Sequence, residues 1–100
     1  MIAIELARDK RRFYALVHGH AGYAEAGRDI VCAGVSALAY ALAAGLNECG
    51  ALLRYESGDG REEMYGAGTD ARVLFRTFEL AARELARQYP EHVCVSGTVQ

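Results

Sequence analysis

The chain lacks a surplus of basic residues, and that absence excludes a first class of function. Eleven Lys and Arg stand against thirteen Asp and Glu, a formal net charge of −2 at pH 7. A protein whose main task is to wrap nucleic acid neutralises phosphates with a basic excess or a basic stripe. The basic cluster Lys10-Arg11-Arg12 follows Asp9 between two apolar stretches and reads as a turn. Also missing is an export signal, since no charged segment, apolar core and small-residue cleavage site follow one another at the start. The three cysteines, Cys32, Cys49 and Cys94, cannot all pair, so a reducing cytoplasm and free thiols are expected. A long membrane-spanning run is lacking too. The seventeen residues from Ile30 to Leu46 carry no charge, but they fall short of a usual span and are diluted by Ala, Gly and Ser. A central helix buried by a sheet is expected there. No internal repeat, low-complexity tract or linker is visible.

What is present fits one globular domain over residues 1–100. Two cores would leave about fifty residues each, too few without staples. Hydrophobic residues make up 52% and charged residues 24%, an ordinary globular balance. Ile2, Ile4 and Leu6 alternate with Ala3, Glu5 and Ala7, the period of a half-buried strand. Asp9–Arg12 is a polar turn. Phe13–His20 reads as a second strand, with Phe13, Ala15 and Val17 on one face and Tyr14, Leu16, His18 and His20 on the other. Gly19, Gly22 and Gly27 then mark Ala21–Arg28 as a loop of permissive backbone.

Asp29 is placed to cap a helix that runs to about Asn47 and ends at Gly50. Ala51–Ser57 and Arg61–Gly66 read as strands around the turn Gly58-Asp59-Gly60. After the breaker Gly66-Ala67-Gly68, Thr69 or Asp70 is expected to cap a second helix. Its apolar stripe is read as Leu74, Phe78, Ala81 and Leu85, with Arg76, Glu79, Arg83 and Arg87 outward. Pro90 stops it, and Val93 and Val95 alternate in a last strand. The order strand-strand-helix-strand-strand-helix-strand predicts an α+β two-layer sandwich with a mostly antiparallel sheet. A first helix so poor in charge would be over-buried by one small sheet, which points to a homodimer covering its other side.

The chemistry concentrates where the second strand joins the first helix. With Asp29 as cap, Cys32 falls in the first helical turn, where the helix dipole and unpaired N–H groups favour a thiolate. His20 precedes it by a loop of eleven residues, long enough to turn back and bring imidazole to sulfur. Such a pair supplies a nucleophile and a general base and acid. Against this stands the ordinary role of cysteine as a small core residue; Cys49 and Cys94, which lack such context, are read as structural. His18 and His20 share a strand face and, with Cys32, offer a rival zinc set, although a fourth ligand is not evident. His92, after Pro90, reads as a surface or edge residue. Ser36 lies one turn beyond Cys32 and either orients the thiolate or substrate or permits close packing, and Gly34 reads as a close backbone approach. Asp29 is first a cap, with a second role in orienting His20 left open, and Tyr23 either lines a groove or anchors the loop.

Gly19-His20-Ala21, then Gly27, then Asp29-Ile30-Val31-Cys32-Ala33-Gly34-Val35-Ser36-Ala37-Leu38 resemble the signature of the ribosomal-processing cysteine protease family, Prp. The likeness extends over essentially the whole chain in element order. It implies a small cytoplasmic homodimer that cuts a short N-terminal extension from bacterial large-subunit ribosomal protein twenty-seven. It also implies Cys32 as nucleophile, His20 as general base and a mobile substrate loop over Ala21–Arg28, containing Gly22, Tyr23 and Gly27. Gly22 stands where many relatives have a larger, often polar residue. On this reading the extension lies along the strand ending at His20, and first-turn N–H groups hold the oxyanion. Neither a metal nor an organic cofactor is required, and neither a membrane nor direct nucleic-acid contact is expected. Two alternatives stay open: a non-catalytic ribosome-associated or assembly module, and a thiol hydrolase acting on another peptide.

Overall fold

Alternation at the start of the chain is realised as a hairpin. In the computed structural model, which describes residues 1–25 and 27–100, β1 (Ile2–Asp9) and β2 (Arg12–His18) pair antiparallel, with Ile4 opposite Val17 and Leu6 opposite Ala15. Ile2, Ile4, Leu6, Phe13, Ala15 and Val17 are all buried on one face. The hairpin β3 (Leu52–Gly58) and β4 (Arg61–Ala67) adds to β2 through β4, and β5 (Val93–Gly97) lies parallel to β1. The result is one mixed, mostly antiparallel sheet in the order β3-β4-β2-β1-β5. Both helices cover its apolar face, which makes the expected α+β two-layer sandwich.

Helix α1 (Ile30–Glu48) buries Val31, Val35, Ala39, Leu42, Ala43 and Leu46 against the sheet. Gly50, at φ +68°, ends it, and the N–H groups of Gly50 and Ala51 donate to the carbonyls of Asn47 and Leu46. By length and composition α1 could cross a membrane, yet this buried face seats it on the sheet.

Helix α2 (Thr69–Gln88) corrects three expectations. Its N-cap is Gly68, at φ +100°, and not Thr69 or Asp70. The breaker glycine adopts a backbone that L-residues avoid, and the Thr69 hydroxyl instead accepts from Arg11 at 3.0 Å. The buried stripe is Ala71, Phe75, Phe78 and Ala82, whereas Leu74, Ala81 and Leu85 are only half-buried at its flank. Phe75 stacks on Phe13 at 5.6 Å and fills the space over Gly66, where a Cβ would meet its ring at 2.8 Å. Leu74 packs on Gly45 of α1, so Gly45 provides the tight helix contact. At Gly34 a Cβ would meet only Leu85, at an ordinary 3.9 Å.

The third correction is Glu79, which is buried at 1% exposure and does not face outward. Its Oε1 accepts from the Val99 N–H and the Thr98 hydroxyl, each at 3.0 Å, and its Oε2 from Arg83 at 2.8 Å. Arg83 also donates to the Gly97 carbonyl at 2.7 Å. The carboxylate thus binds the segment after β5 to α2 and lets Val99 enter the core. A helical wheel cannot show this, because the donors lie about twenty residues away.

Burial pushes the Glu79 carboxyl up, but the Val99 N–H, Arg83 and Thr98 together hold it below its ordinary value. A depressed folded pKa contributes stability that is complete above the unfolded value of about 4.3 and is lost as pH falls through the folded one. Glu79→Ala is expected to cost about 2–3 kcal/mol at pH 7, because it strands a buried N–H. In urea melts that deficit should shrink as pH is lowered towards 3, while a deficit independent of pH would contradict this account.

Candidate active site

The site is built by a turn, a hairpin tip and a helix start. β2 ends at His18 and not at His20. Gly19, at φ +96°, turns the chain, and a Cβ there would strike the Met1 carbonyl oxygen at 2.4 Å. This turn takes His20 off the outer sheet face and into a cavity shared with Cys32, Val35 and Ser36. His18 stays on the outer face, where its Nε2 lies 2.8 Å from Glu5 Oε2. The zinc set of His18, His20 and Cys32 is therefore not assembled.

His20 rests on the tip of the β3–β4 hairpin. A Cβ at Gly60 would lie 2.9 Å from its Nε2, and Gly60 itself has φ +64°. The Gly19 N–H donates to the Gly60 carbonyl at 2.9 Å, which ties the turn to the tip. Sequence reading finds Gly60 as a hairpin residue only; its second duty, leaving room for an imidazole, comes from tertiary structure.

Asp29 caps α1 as expected and does more. Its Oδ1 accepts from the N–H groups of Val31 at 3.0 Å and Cys32 at 2.9 Å. Its Oδ2 accepts from those of Tyr23 at 3.0 Å and Ala24 at 3.4 Å. One carboxylate thereby starts the helix and folds the loop back onto it. The Cys32 N–H is the largest influence holding the Asp29 carboxyl below its ordinary value; slight burial opposes it, and the Tyr23 and Ala24 N–H groups add to it. Both oxygens are taken by backbone, so Asp29 orients the loop and not His20.

This arrangement corrects the expected oxyanion donors. The first-turn N–H groups of Val31 and Cys32 are occupied by Asp29, and that of Ala33 donates to the Asp29 carbonyl. The group that reaches the thiol is the N–H of Ala21, 3.3 Å from Cys32 Sγ. Cys32 is half-buried and Ser36 lies beside it on α1. Two cavities, of about 450 and 480 Å³, meet at His20, Cys32 and Ser36. Tyr40, Tyr55, Arg61 and Glu62 line the first, and Gly22, Ala24, Gly27 and Asp29 line the second. Among the described residues no hydrogen bond joins imidazole to thiol. Tyr23 anchors the loop, edge-on to Tyr89 at 5.6 Å and to His92 at 5.3 Å. Ala26, within the loop expected at Ala21–Arg28, lies outside the described residues. Cys49 and Cys94, read as structural, are exposed and free.

β2 is hydrogen-bonded on both sides, to β4 and β1, so no peptide can pair along it. The groove that remains crosses the end of the sheet, between the β3–β4 tip and α1. A half-buried thiol with an N–H donor, an imidazole in the same cavity and a groove alongside suit thiol-dependent acyl transfer.

Comparison with known proteins decides the family. Residues 1–94 match the family described as Cysteine protease Prp. The chain belongs to that family of cysteine proteases. A similar fold occurs in the essential ribosomal processing protease Prp from S. aureus in complex with a covalently linked product peptide. There the TM-score is 0.86 at 21% identity over 96% of this chain and 98% of that one. The same Prp with a substrate peptide gives a TM-score of 0.77 at 20% identity over the same shares. SMU.848 from Streptococcus mutans gives 0.72 at 30% identity over 96% of this chain and 92% of that one. No curated protein sequence matches.

The seat of His20 gives a test within this Prp-type site. Gly60→Ala forces a side chain into a left-handed φ, at about 1–2 kcal/mol, and pushes the imidazole aside. Peptide cleavage is expected to fall tenfold or more, on the order of what a small misplacement within a site costs, while alkylation of Cys32 proceeds. Unchanged cleavage would show that the contact does not position His20.

Proposed function

We propose that this chain is an endopeptidase that removes the short N-terminal extension of bacterial large-subunit ribosomal protein twenty-seven through a Cys32–His20 dyad. The observation that carries the reading is the thiol itself: Cys32 Sγ lies in the first turn of α1, receives the Ala21 N–H and shares its cavity with His20. The S. aureus Prp complexes, one with a substrate peptide and one with a covalently linked product peptide, support a peptide substrate and a covalent step.

The extension lies across the end of the sheet, in the groove beside Tyr40, Tyr55 and Arg61. Imidazole of His20 takes the thiol proton, and the Cys32 thiolate attacks the scissile carbonyl. Oxygen gains the negative charge and accepts from backbone N–H. The C–N bond then breaks as His20 returns the proton to the leaving amine. Water, activated by the same imidazole, hydrolyses the thioester and frees the thiol. No metal or organic cofactor enters this sequence. Ser36, on the cavity wall next to Cys32, has room to orient thiolate or peptide.

The three free thiols support a reducing cytoplasm. The outer face of α1 presents Ala37, Tyr40, Ala41 and Ala44 at helical spacing, all exposed, and a second copy of the chain is the partner we place there. Light scattering is then expected to give twice the protomer mass, and Ala44→Arg to give a monomer; a monomeric wild type would remove the homodimer.

Incubation of the precursor ribosomal protein with the enzyme, followed by mass spectrometry, tests the activity. Wild type is expected to yield a single N-terminal truncation, and Cys32→Ala and His20→Ala none above background. Truncation by Cys32→Ala would overturn the mechanism. Rapid alkylation of Cys32 without truncation would leave a thiol hydrolase of another peptide, and an inert Cys32 would leave a binding module.

A further inference from the structure

The donor beside the thiol is held by a residue outside the catalytic pair. Ala21 is buried, with its N–H on Cys32 Sγ at 3.3 Å and its carbonyl oxygen 2.9 Å from Nδ1 of His92. A carbonyl only accepts, so Nδ1 of His92 carries the proton. The Ala21 carbonyl and the Gly22 N–H belong to one planar trans peptide and point in opposite directions. Gripping the carbonyl from the His92 side therefore turns the Gly22 N–H the other way, and Gly22 lines the cavity that contains His20 and Cys32.

His92 is well placed to hold a loop. Its own N–H donates to the Tyr89 carbonyl, and its carbonyl accepts the Ile2 N–H, each at 2.9 Å, which fixes it to the end of α2 and to β1. Its ring also meets Tyr23 edge-on at 5.3 Å. The loop is thus held at residues 21 and 23 by one side chain that belongs to the rigid body of the sandwich. The N–H groups of Val31, Cys32 and Ala33 are occupied, so the loop donors beside the sulfur are those His92 aligns.

We propose that His92 is a positioning residue for acyl transfer, holding the Ala21 and Gly22 N–H groups as the oxyanion hole of Cys32. As the thiolate adds to the carbonyl, the neutral sulfur of the tetrahedral adduct releases the Ala21 N–H, and the oxygen that gains charge is the stronger acceptor within reach. The inference rests on the reading of Cys32 as nucleophile, though not on the identity of the substrate.

Two reagents separate oxyanion stabilisation from thiolate supply. p-Nitrophenyl acetate acylates a thiolate through a tetrahedral oxyanion and releases p-nitrophenolate. Iodoacetamide alkylates by displacing iodide, with no oxyanion. Both rates are measured on Cys32 in a Cys49→Ser, Cys94→Ser background, for His92 and for His92→Phe, His92→Gln and His92→Asn, with melting temperatures as a check on folding. Phe keeps the aromatic edge against Tyr23, Gln lacks a donor at the Nδ1 position, and Asn restores one. Acylation is expected to fall about tenfold in Phe and Gln, a fraction of the 10²–10³ seen when a donor is removed outright. Compared at equal thiolate fraction, alkylation should stay within about twofold, and Asn should recover most of the loss in acylation. Acylation unchanged in both Phe and Gln, a parallel fall in both reactions, or an Asn variant no better than Phe would overturn the role of His92 alone. A wild-type Cys32 that acylates no faster than free cysteine at equal thiolate fraction would overturn the donor assignment and the nucleophile together.

Discussion

The site depends on one carboxylate. Asp29 accepts four backbone N–H groups, two from the first turn of α1 and two from the loop before it. Helix start and loop fold are therefore one event, and the position of the thiol follows from both. An N-cap ordinarily satisfies orphan donors at a helix end. Here the same bonds also remove those donors from catalytic use, which moves the polar environment of the sulfur from the helix to the loop. Asp29 remains ionised well below neutrality, because its depressed pKa makes its contribution complete above the ordinary carboxylate range and lost only as pH falls through the lower folded value.

Local features of the fold were legible in the sequence because they are governed by local rules. Alternation in Ile2–Ala7 gave β1, the cap at Asp29 gave the start of α1, and the glycine pair around Asp59 gave the β3–β4 turn. The corrections arise from partners distant in sequence or from the backbone of a neighbouring glycine. Glu79 reads as a surface residue until the Val99 N–H is brought to it. His20 reads as an outward strand residue until Gly19 turns the chain. Gly68 displaces Thr69 as cap because its left-handed backbone supplies the entry to α2.

The proximity of Cys32 and His20 was suggested by spacing and by resemblance, whereas the residues that hold them were not legible. Gly60 carries no sign that an imidazole will lie on it. His92 follows a proline in what reads as a plain connection, and only the return of β5 alongside β1 brings it to the Ala21 carbonyl. These contacts join residues far apart in the chain, Gly60 with His20 and His92 with Ala21, a range over which periodicity and capping rules carry no information.

Cys32 and His20 belong to different structural units, and this has a thermal consequence. Cys32 sits on α1, packed across the core, while the seat of His20 is the tip of a hairpin whose outer strand, β3, has a neighbour on one side only. Edge hairpins open at lower free energy than the elements they flank. Heating should therefore release His20 from its seat while the helix still presents the sulfur. Activity would disappear before the melt of the sandwich, in a protein whose thiol still reacts with simple electrophiles.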